Sequence, residues 1–279
     1  MIPALRRSLV ALLATLSLLA CDRTPPEPLA PPRTSASVPP ERAPTPPGPL
    51  EAGGVEYLVR YRGGAQPEER LPMVVAIHGL GDRPDRFGLL EGFPAPLRVI
   101  VPRGLSPHGG GYSWFPIRVR DADPVAVAQG MEVAVDALGK MIAGVVERYP
   151  TIGKPIVTGF SQGGMLSFGL AVLRPTQIAA AVPVAGWLPE PLWQAPPSEG
   201  APPIVALHGD ADPVLPIGPT RDAVAALRER GWKVDLVEYP GVEHRIPTQV
   251  RRELFRQLAQ FRSGLIEPVA PHPAVDGGP

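Results

Sequence analysis

Between residues 51 and 263 the apolar positions fall into two kinds of run that take turns along the chain. Val55 to Tyr61 alternates apolar with polar, the period of a strand with one face in water. Met73 to Ile77 is apolar throughout and bounded by Pro72 and Gly79, as a buried parallel strand should be, and Leu97 to Val101 reads as another. From Val125 to Arg148 apolar residues recur at helical spacing (Val127, Met131, Val135, Leu138, Ile142, Val145), with Asp123 placed to cap the first turn and Pro124 at its first position. Pro155–Thr158, Ile178–Val184, Ile204–Leu207 and Val234–Tyr239 read as further strands. Gly163–Leu173, Pro219–Arg230 and Thr248–Phe261 read as helices between and after them. Strands that alternate with helices, the central ones apolar on both faces, predict an α/β fold: a mostly parallel sheet covered by helices on both sides.

The ends break this pattern. Residues 22–50 carry 11 prolines in 29 positions and almost no large apolar side chain, so they read as a Pro-rich linker that cannot build a core. The tail from Gly264 to Pro279 reads as disordered as well, and His272 in it is given no role. Ahead of the linker, Arg6 and Arg7 precede an apolar run from Leu9 to Ala20 that is too short to span a membrane and has the length of a secretory signal core. It ends Leu18-Leu19-Ala20-Cys21, which resembles the lipobox of bacterial lipoproteins, and Cys21 is the only cysteine in the chain. The expected organisation is a signal peptide at 1–20, a linker from the lipidated Cys21 to residue 50, one folded domain at 51–263 and a tail at 264–279. The protein is then expected as an exported, membrane-anchored lipoprotein on the periplasmic or cell-surface side.

Composition narrows the chemistry. The chain of 279 residues carries 27 basic and 27 acidic side chains, with no basic stripe of the kind a nucleic-acid binder needs. A single cysteine excludes a disulfide framework and a Cys-based zinc site. His78 and His208 each precede a glycine after a strand, without a second His or carboxylate at ligand spacing, so hydrogen bonding rather than metal binding is expected of them.

Gly159-Phe160-Ser161-Gln162-Gly163 falls between a predicted strand and a predicted helix. A sharp turn there crowds the backbone, so the flanking positions must lack a Cβ, and the serine hydroxyl lands at a helix N-terminus that favours developing negative charge. A serine nucleophile needs a base, and the base needs an orienting acid. Past the strand Ile204–Leu207 stand Asp210 and Asp212, and past Val234–Tyr239 stands His244. Asp210 suits a turn former through its side chain. The N–H of Gln162, next after the nucleophile, and that of Leu80 in the loop His78-Gly79-Leu80-Gly81-Asp82 are the expected oxyanion donors.

Three segments, His78–Asp82 (HGLGD), Gly159–Gly164 (GFSQGG) and His208–Val214 (HGDADPV), together resemble the phospholipase/carboxylesterase family of α/β-hydrolases, which includes the acyl-protein thioesterases. The resemblance covers about residues 55–262. It implies the α/β-hydrolase fold, a triad of Ser161, Asp212 and His244, with Asp212 chosen as the acid before Pro213, and oxyanion donors at Leu80 and Gln162. It also implies hydrolysis of carboxylic esters or thioesters, of small-molecule or lipid kind, with no metal and no organic cofactor. Two features depart from the family: Glu243 stands before the His where a Gly is usual, and a Gly-rich insert lies in the stretch Gly104–Pro116. Trp114 in that stretch is taken as a substrate contact. The same triad would equally serve a peptidase or a polymer-ester depolymerase, and a non-catalytic binding lipoprotein is the reading from a different class.

Overall fold

The computed structural model describes residues 50–116, 123–194 and 196–266. The expected signal peptide, Cys21 and all but the last residue of the linker lie outside the described residues. Ten strands and four α-helices follow in order. They are β1 (Leu50–Ala52), β2 (Val55–Arg62), β3 (Met73–Ile77), β4 (Leu97–Pro102), β5 (Ser106–His108), β6 (Gly111–Ser113), α1 (Pro124–Arg148), β7 (Ile156–Phe160), α2 (Gln162–Leu173), β8 (Ala180–Val184), β9 (Ile204–Gly209), α3 (Ile217–Glu229), β10 (Val234–Tyr239) and α4 (Thr248–Ile266). Eight strands form one sheet in the order β1-β2-β4-β3-β7-β8-β9-β10, while β5 and β6 make a separate hairpin. β1 and β2 run antiparallel to their neighbours, and the pairs from β4 through to β10 are parallel.

Alternation along the central strands sorts the core into two layers. Met73, Val75 and Ile77 of β3 join a cluster with residues of α1, α2 and α3, whereas Val74 and Ala76 join a second cluster with Val250, Leu254 and Leu258 of α4. Both faces of the sheet are thus covered, which is why β3 and β8 are buried at every position. α1 starts as its sequence dictates: the Asp123 carboxylate accepts from the Val125 N–H at 3.1 Å, with Pro124 in the first turn.

The crossover from β3 to β4 contains no α-helix. Pro84, Gly88, Gly92, Pro94 and Pro96 interrupt it, and its carbonyls are held by cations instead. Arg60 donates to the carbonyls of Phe87, Pro84 and Asp85 at 2.6 to 2.8 Å, Arg62 to that of Leu90 at 3.1 Å, and Arg251 to those of Gly88 and Leu89 at 3.0 and 2.9 Å. This seats Phe87, Leu89, Leu90 and Phe93 in the second core layer, where a helix would otherwise lie.

Two boundaries differ from the sequence expectation. α4 continues through Gly264 to Ile266, past the expected end of the domain, because Leu265 packs against the second core layer and sits over Gly153. Leu50, placed with the linker, is instead the first residue of β1 and pairs with Tyr57.

Strand order also locates the site. From β3 the chain crosses to β4 on one side, and β7 lies on the other side of β3. Loops leaving the carboxyl ends of β3 and β7 therefore diverge and open a crevice, the topological switch point at which open α/β sheets bind ligands.

Candidate active site

Ser161 occupies the turn between β7 and α2 with φ 58° and ψ −119°, a left-handed conformation that a non-glycine residue holds only at a cost of about 1–3 kcal/mol. The surroundings force it. A Cβ on Gly159 would stand 2.5 Å from the Gly163 backbone, one on Gly163 would stand 2.0 Å from the Ile77 carbonyl oxygen, and one on Gly164 would stand 2.5 Å from that of Val184. The Ser161 N–H donates to the Val184 carbonyl at 3.0 Å, which ties the turn to the neighbouring strand.

Ser161 Oγ lies 3.0 Å from His244 Nε2, and His244 Nδ1 lies 2.6 Å from Asp212 Oδ2. With a carboxylate as its partner Nδ1 carries the proton and donates it, which leaves Nε2 to accept from the serine hydroxyl. The Asp212 side chain is wholly buried, and its other oxygen accepts from the N–H groups of Val214 and Leu215, both at 2.8 Å. The His244 ring stacks on Phe160 at 4.7 Å between centroids. Asp210, the rival acid, points elsewhere: its carboxylate accepts from the Gly241 N–H at 2.7 Å and so pins the loop that carries His244. The Ala211 N–H donates to the Val242 carbonyl at 3.2 Å, so the loops bearing Asp212 and His244 are bonded to one another. Glu243, where the family usually has Gly, is exposed on this loop.

The two expected oxyanion donors belong to segments that adjoin Ser161. Gln162 is the first residue of α2, so its N–H has no acceptor within the helix. The Leu80 N–H has no acceptor among the described residues, and a Cβ on the adjacent Gly79 would stand 3.3 Å from the Ser161 Cβ. His78 aims that N–H. Its Nε2 accepts from the Gly104 N–H at 3.0 Å, which puts the ring proton on Nδ1, and Nδ1 donates to the Gly79 carbonyl at 2.7 Å. The Gly79 carbonyl and the Leu80 N–H belong to one trans peptide and point in opposite directions, so fixing the first directs the second.

Trp114 stands behind the site rather than in it, which corrects the expectation of a substrate contact. It is 2% exposed, its indole N–H donates to the His78 carbonyl at 2.9 Å, and its ring lies 5.3 Å from the His78 ring. Its backbone N–H donates to Gln162 Oε1 at 3.2 Å, while Gln162 Nε2 donates to the Phe115 carbonyl at 3.2 Å. The Gln162 side chain thus fastens the Ser161 turn to the Ser113–Phe115 segment, a role the sequence pattern did not mark. The Gly-rich insert forms the β5–β6 hairpin. Through the Gly81 N–H to the Tyr112 carbonyl (2.8 Å) and the Tyr112 N–H to the Asp82 carbonyl (3.0 Å), that hairpin clamps the loop bearing Leu80. Gly111 is required there, since a Cβ would fall 2.3 Å from the Gly81 carbonyl oxygen.

Beside the site lies an open cleft of about 530 Å³, lined by Phe87, Leu89, Phe160 and Ile246 together with Asp82, Glu91 and Arg251. No group of three potential metal ligands occurs among the described residues.

The sheet order, the strained serine at the β7–α2 turn and the loops that meet it define an α/β-hydrolase. The family model for phospholipase/carboxylesterase matches residues 64–260. Over 240 residues the chain is 30% identical to "Putative esterase NocK" of Nocardia uniformis subsp. tsuyamanensis, covering 77% of this chain and 67% of that protein. Over 163 residues it is 28% identical to acyl-protein thioesterase 1 of Saccharomyces cerevisiae, covering 52% of this chain and 72% of the yeast protein. The crystal structure of esterase PE8 superimposes with a TM-score of 0.62 at 25% identity, over 72% of this chain and 99% of that one. The chain belongs to the phospholipase/carboxylesterase family.

Two outcomes follow from this geometry. Trp114→Phe removes the indole donor to the His78 carbonyl, so the melting temperature and kcat are expected to fall, with stability lower by about 1 kcal/mol. KM should stay within about twofold of wild type, because a side chain behind the site does not touch substrate; steady-state kinetics and a thermal melt read both. Burial pushes the imidazoles of His78 and His208 below their usual 6.5. The unfolded chain then takes up protons that the fold refuses, so this contribution to stability is full above about pH 6.5 and is lost as pH falls below it. Denaturant melts at pH 7 and pH 5 should give the lower midpoint at pH 5, and His78→Asn should flatten the difference.

Proposed function

We propose that the protein is a serine hydrolase that cleaves carboxylic esters or thioesters through an acyl-enzyme. In this reading Ser161 is the nucleophile, His244 the base and Asp212 the group that orients it. The observation that carries it is the hydrogen-bonded chain from Ser161 Oγ through the His244 ring to Asp212, at 3.0 and 2.6 Å, on a serine at a helix N-terminus.

As Ser161 Oγ attacks the carbonyl carbon, its proton passes to His244 Nε2. Asp212 stays ionised and stabilises the imidazolium through Nδ1–H. The substrate carbonyl oxygen takes the negative charge and receives the N–H groups of Leu80 and Gln162, donors worth about 3–4 kcal/mol each in comparable sites. The intermediate collapses, the bond to the leaving oxygen or sulfur breaks, and His244 hands that atom its proton. Water then attacks the acyl group while His244 takes its proton, and a second collapse frees the acid and restores Ser161. Family membership and the esterase and thioesterase names of the relatives support this substrate class, and the partly apolar cleft beside Phe160 suits a small-molecule or lipid ester.

Ser161→Ala in the full-length protein is expected to abolish hydrolysis of p-nitrophenyl esters from two to sixteen acyl carbons, and to abolish fluorophosphonate labelling. Wild-type protein that is folded, inert across the series and unlabelled would sink the reading in favour of a binding protein.

We further propose that Cys21 is acylated after export and anchors the domain to a membrane, with the Pro-rich residues 22–49 as tether. Among the described residues no helix is long and apolar enough to cross a membrane, so this anchoring rests on the lipobox-like segment. Cells expressing the full chain should yield it in the detergent phase of a Triton X-114 partition, and Cys21→Ser should move it to the aqueous phase; an unmoved variant refutes the anchor.

A further inference from the structure

Asp212 has a second imidazole beside it. His208 is the last but one residue of β9, four residues upstream, its side chain 1% exposed, and its Nε2 lies 3.5 Å from Asp212 Oδ2, the oxygen that receives His244. Nε2 also lies 2.8 Å from the Leu215 carbonyl, at the far end of the turn whose N–H groups hold Asp212 Oδ1. On the other side of the ring, Nδ1 lies 3.0 Å from the hydroxyl of Thr220 in α3. A carbonyl and a carboxylate at Nε2 require a proton there, and burial favours the neutral ring, so Nδ1 is left as an acceptor for the Thr220 hydroxyl, whose other acceptor is the Gly186 carbonyl at 3.1 Å.

We propose that His208 is a positioning residue of the triad: its Nε2–H anchors the Asp212–Leu215 turn and faces the carboxylate, drawing on the charge that Asp212 offers to His244. At 3.5 Å the contact is too long for a strong hydrogen bond, and its main acceptor is Leu215. Both side chains are sealed from water, however, so an N–H dipole acts on the carboxylate with little screening. With His208 in place, Asp212 stabilises the His244 imidazolium less than an unshared carboxylate would. The other ionisable groups around His208 leave that relation intact. Glu238 of β10 is beside it in register, but is held by Arg221 of α3. Asp210 is engaged with Gly241, and His244 is the remaining facing imidazole.

The inference rests on the triad reading, and the experiment separates the two. The kcat/KM profile of full-length protein is measured from pH 5 to 9 on a short p-nitrophenyl ester, with active sites counted by fluorophosphonate burst. His208→Asn keeps a polar group near Thr220 but cannot reach Asp212. The acid limb is expected to move to higher pH by about half a unit or more, since the freed carboxylate holds the proton on His244 more tightly. His208→Gln carries an amide N–H to the place of Nε2, and its limb should stay with wild type. A limb unmoved in His208→Asn, or moved as far in His208→Gln, overturns the proposal, because a merely structural histidine would lower the melting temperature of both without separating their profiles. Wild-type protein that neither turns over nor labels overturns the triad itself.

Discussion

Helix α2 meets the end of strand β3 with no side chain between them. The Ile77 carbonyl oxygen fills the space that a Cβ on Gly163 would need, at 2.0 Å, and comes within 2.6 Å of where one on Gly159 would be. This close approach bends the chain at Ser161 into a conformation few residues adopt and points its hydroxyl out of the sheet. It also brings the β3 loop against the β7 turn, so that two backbone N–H groups from distant parts of the chain can face one carbonyl oxygen. The remaining site elements respond to that contact. The His78 ring, the Trp114 indole and the Gln162 amide bond the two loops into one block whose parts cannot shift singly.

The residues that proved legible in the sequence were those whose chemistry depends on backbone rules. β3 falls on the expected residues because an unbroken apolar run between Pro72 and Gly79 has few other solutions. Ser161, Asp212 and His244, which the fold brings into one hydrogen-bonded chain, could be picked out because each follows a strand, and strands announce themselves by period. Trp114 could not. An aromatic side chain near a site reads the same whether it faces substrate or core, and what turned it inward was a hydrogen bond to a main-chain carbonyl. The β5–β6 hairpin escaped because strands of three residues are too short to display a period, although the Gly109-Gly110 pair is a turn signal. α4 outran its expected end for a related reason: Gly264 looked like a stop, while Leu265, one residue on, carried the packing that kept the last turn in place.

Helix-less coverage of the β3–β4 crossover has a counterpart in charge. Arg60, Arg62 and Arg251 direct their side-chain hydrogen bonds to main-chain carbonyls rather than to carboxylates. Guanidinium groups stay charged at any pH a protein survives, and carbonyls do not titrate. The floor of the cleft beside Phe160 is therefore held by bonds indifferent to pH, in contrast to the histidine-bearing loops across from it.

The position of the strands has a further effect on how the protein should fail. Ser161 follows β7, flanked by β3 and β8 deep in the sheet, whereas His244 follows β10, whose outer edge has no neighbouring strand among the described residues. Strands at a sheet margin open more readily than those at its middle, because fewer contacts must be given up at once. Fraying of β10 would carry His244, the proposed base, away from an intact Ser161 turn. Heat or denaturant is then expected to silence the protein by a local opening well before the sheet dissolves, and cooling should restore it without a folding step.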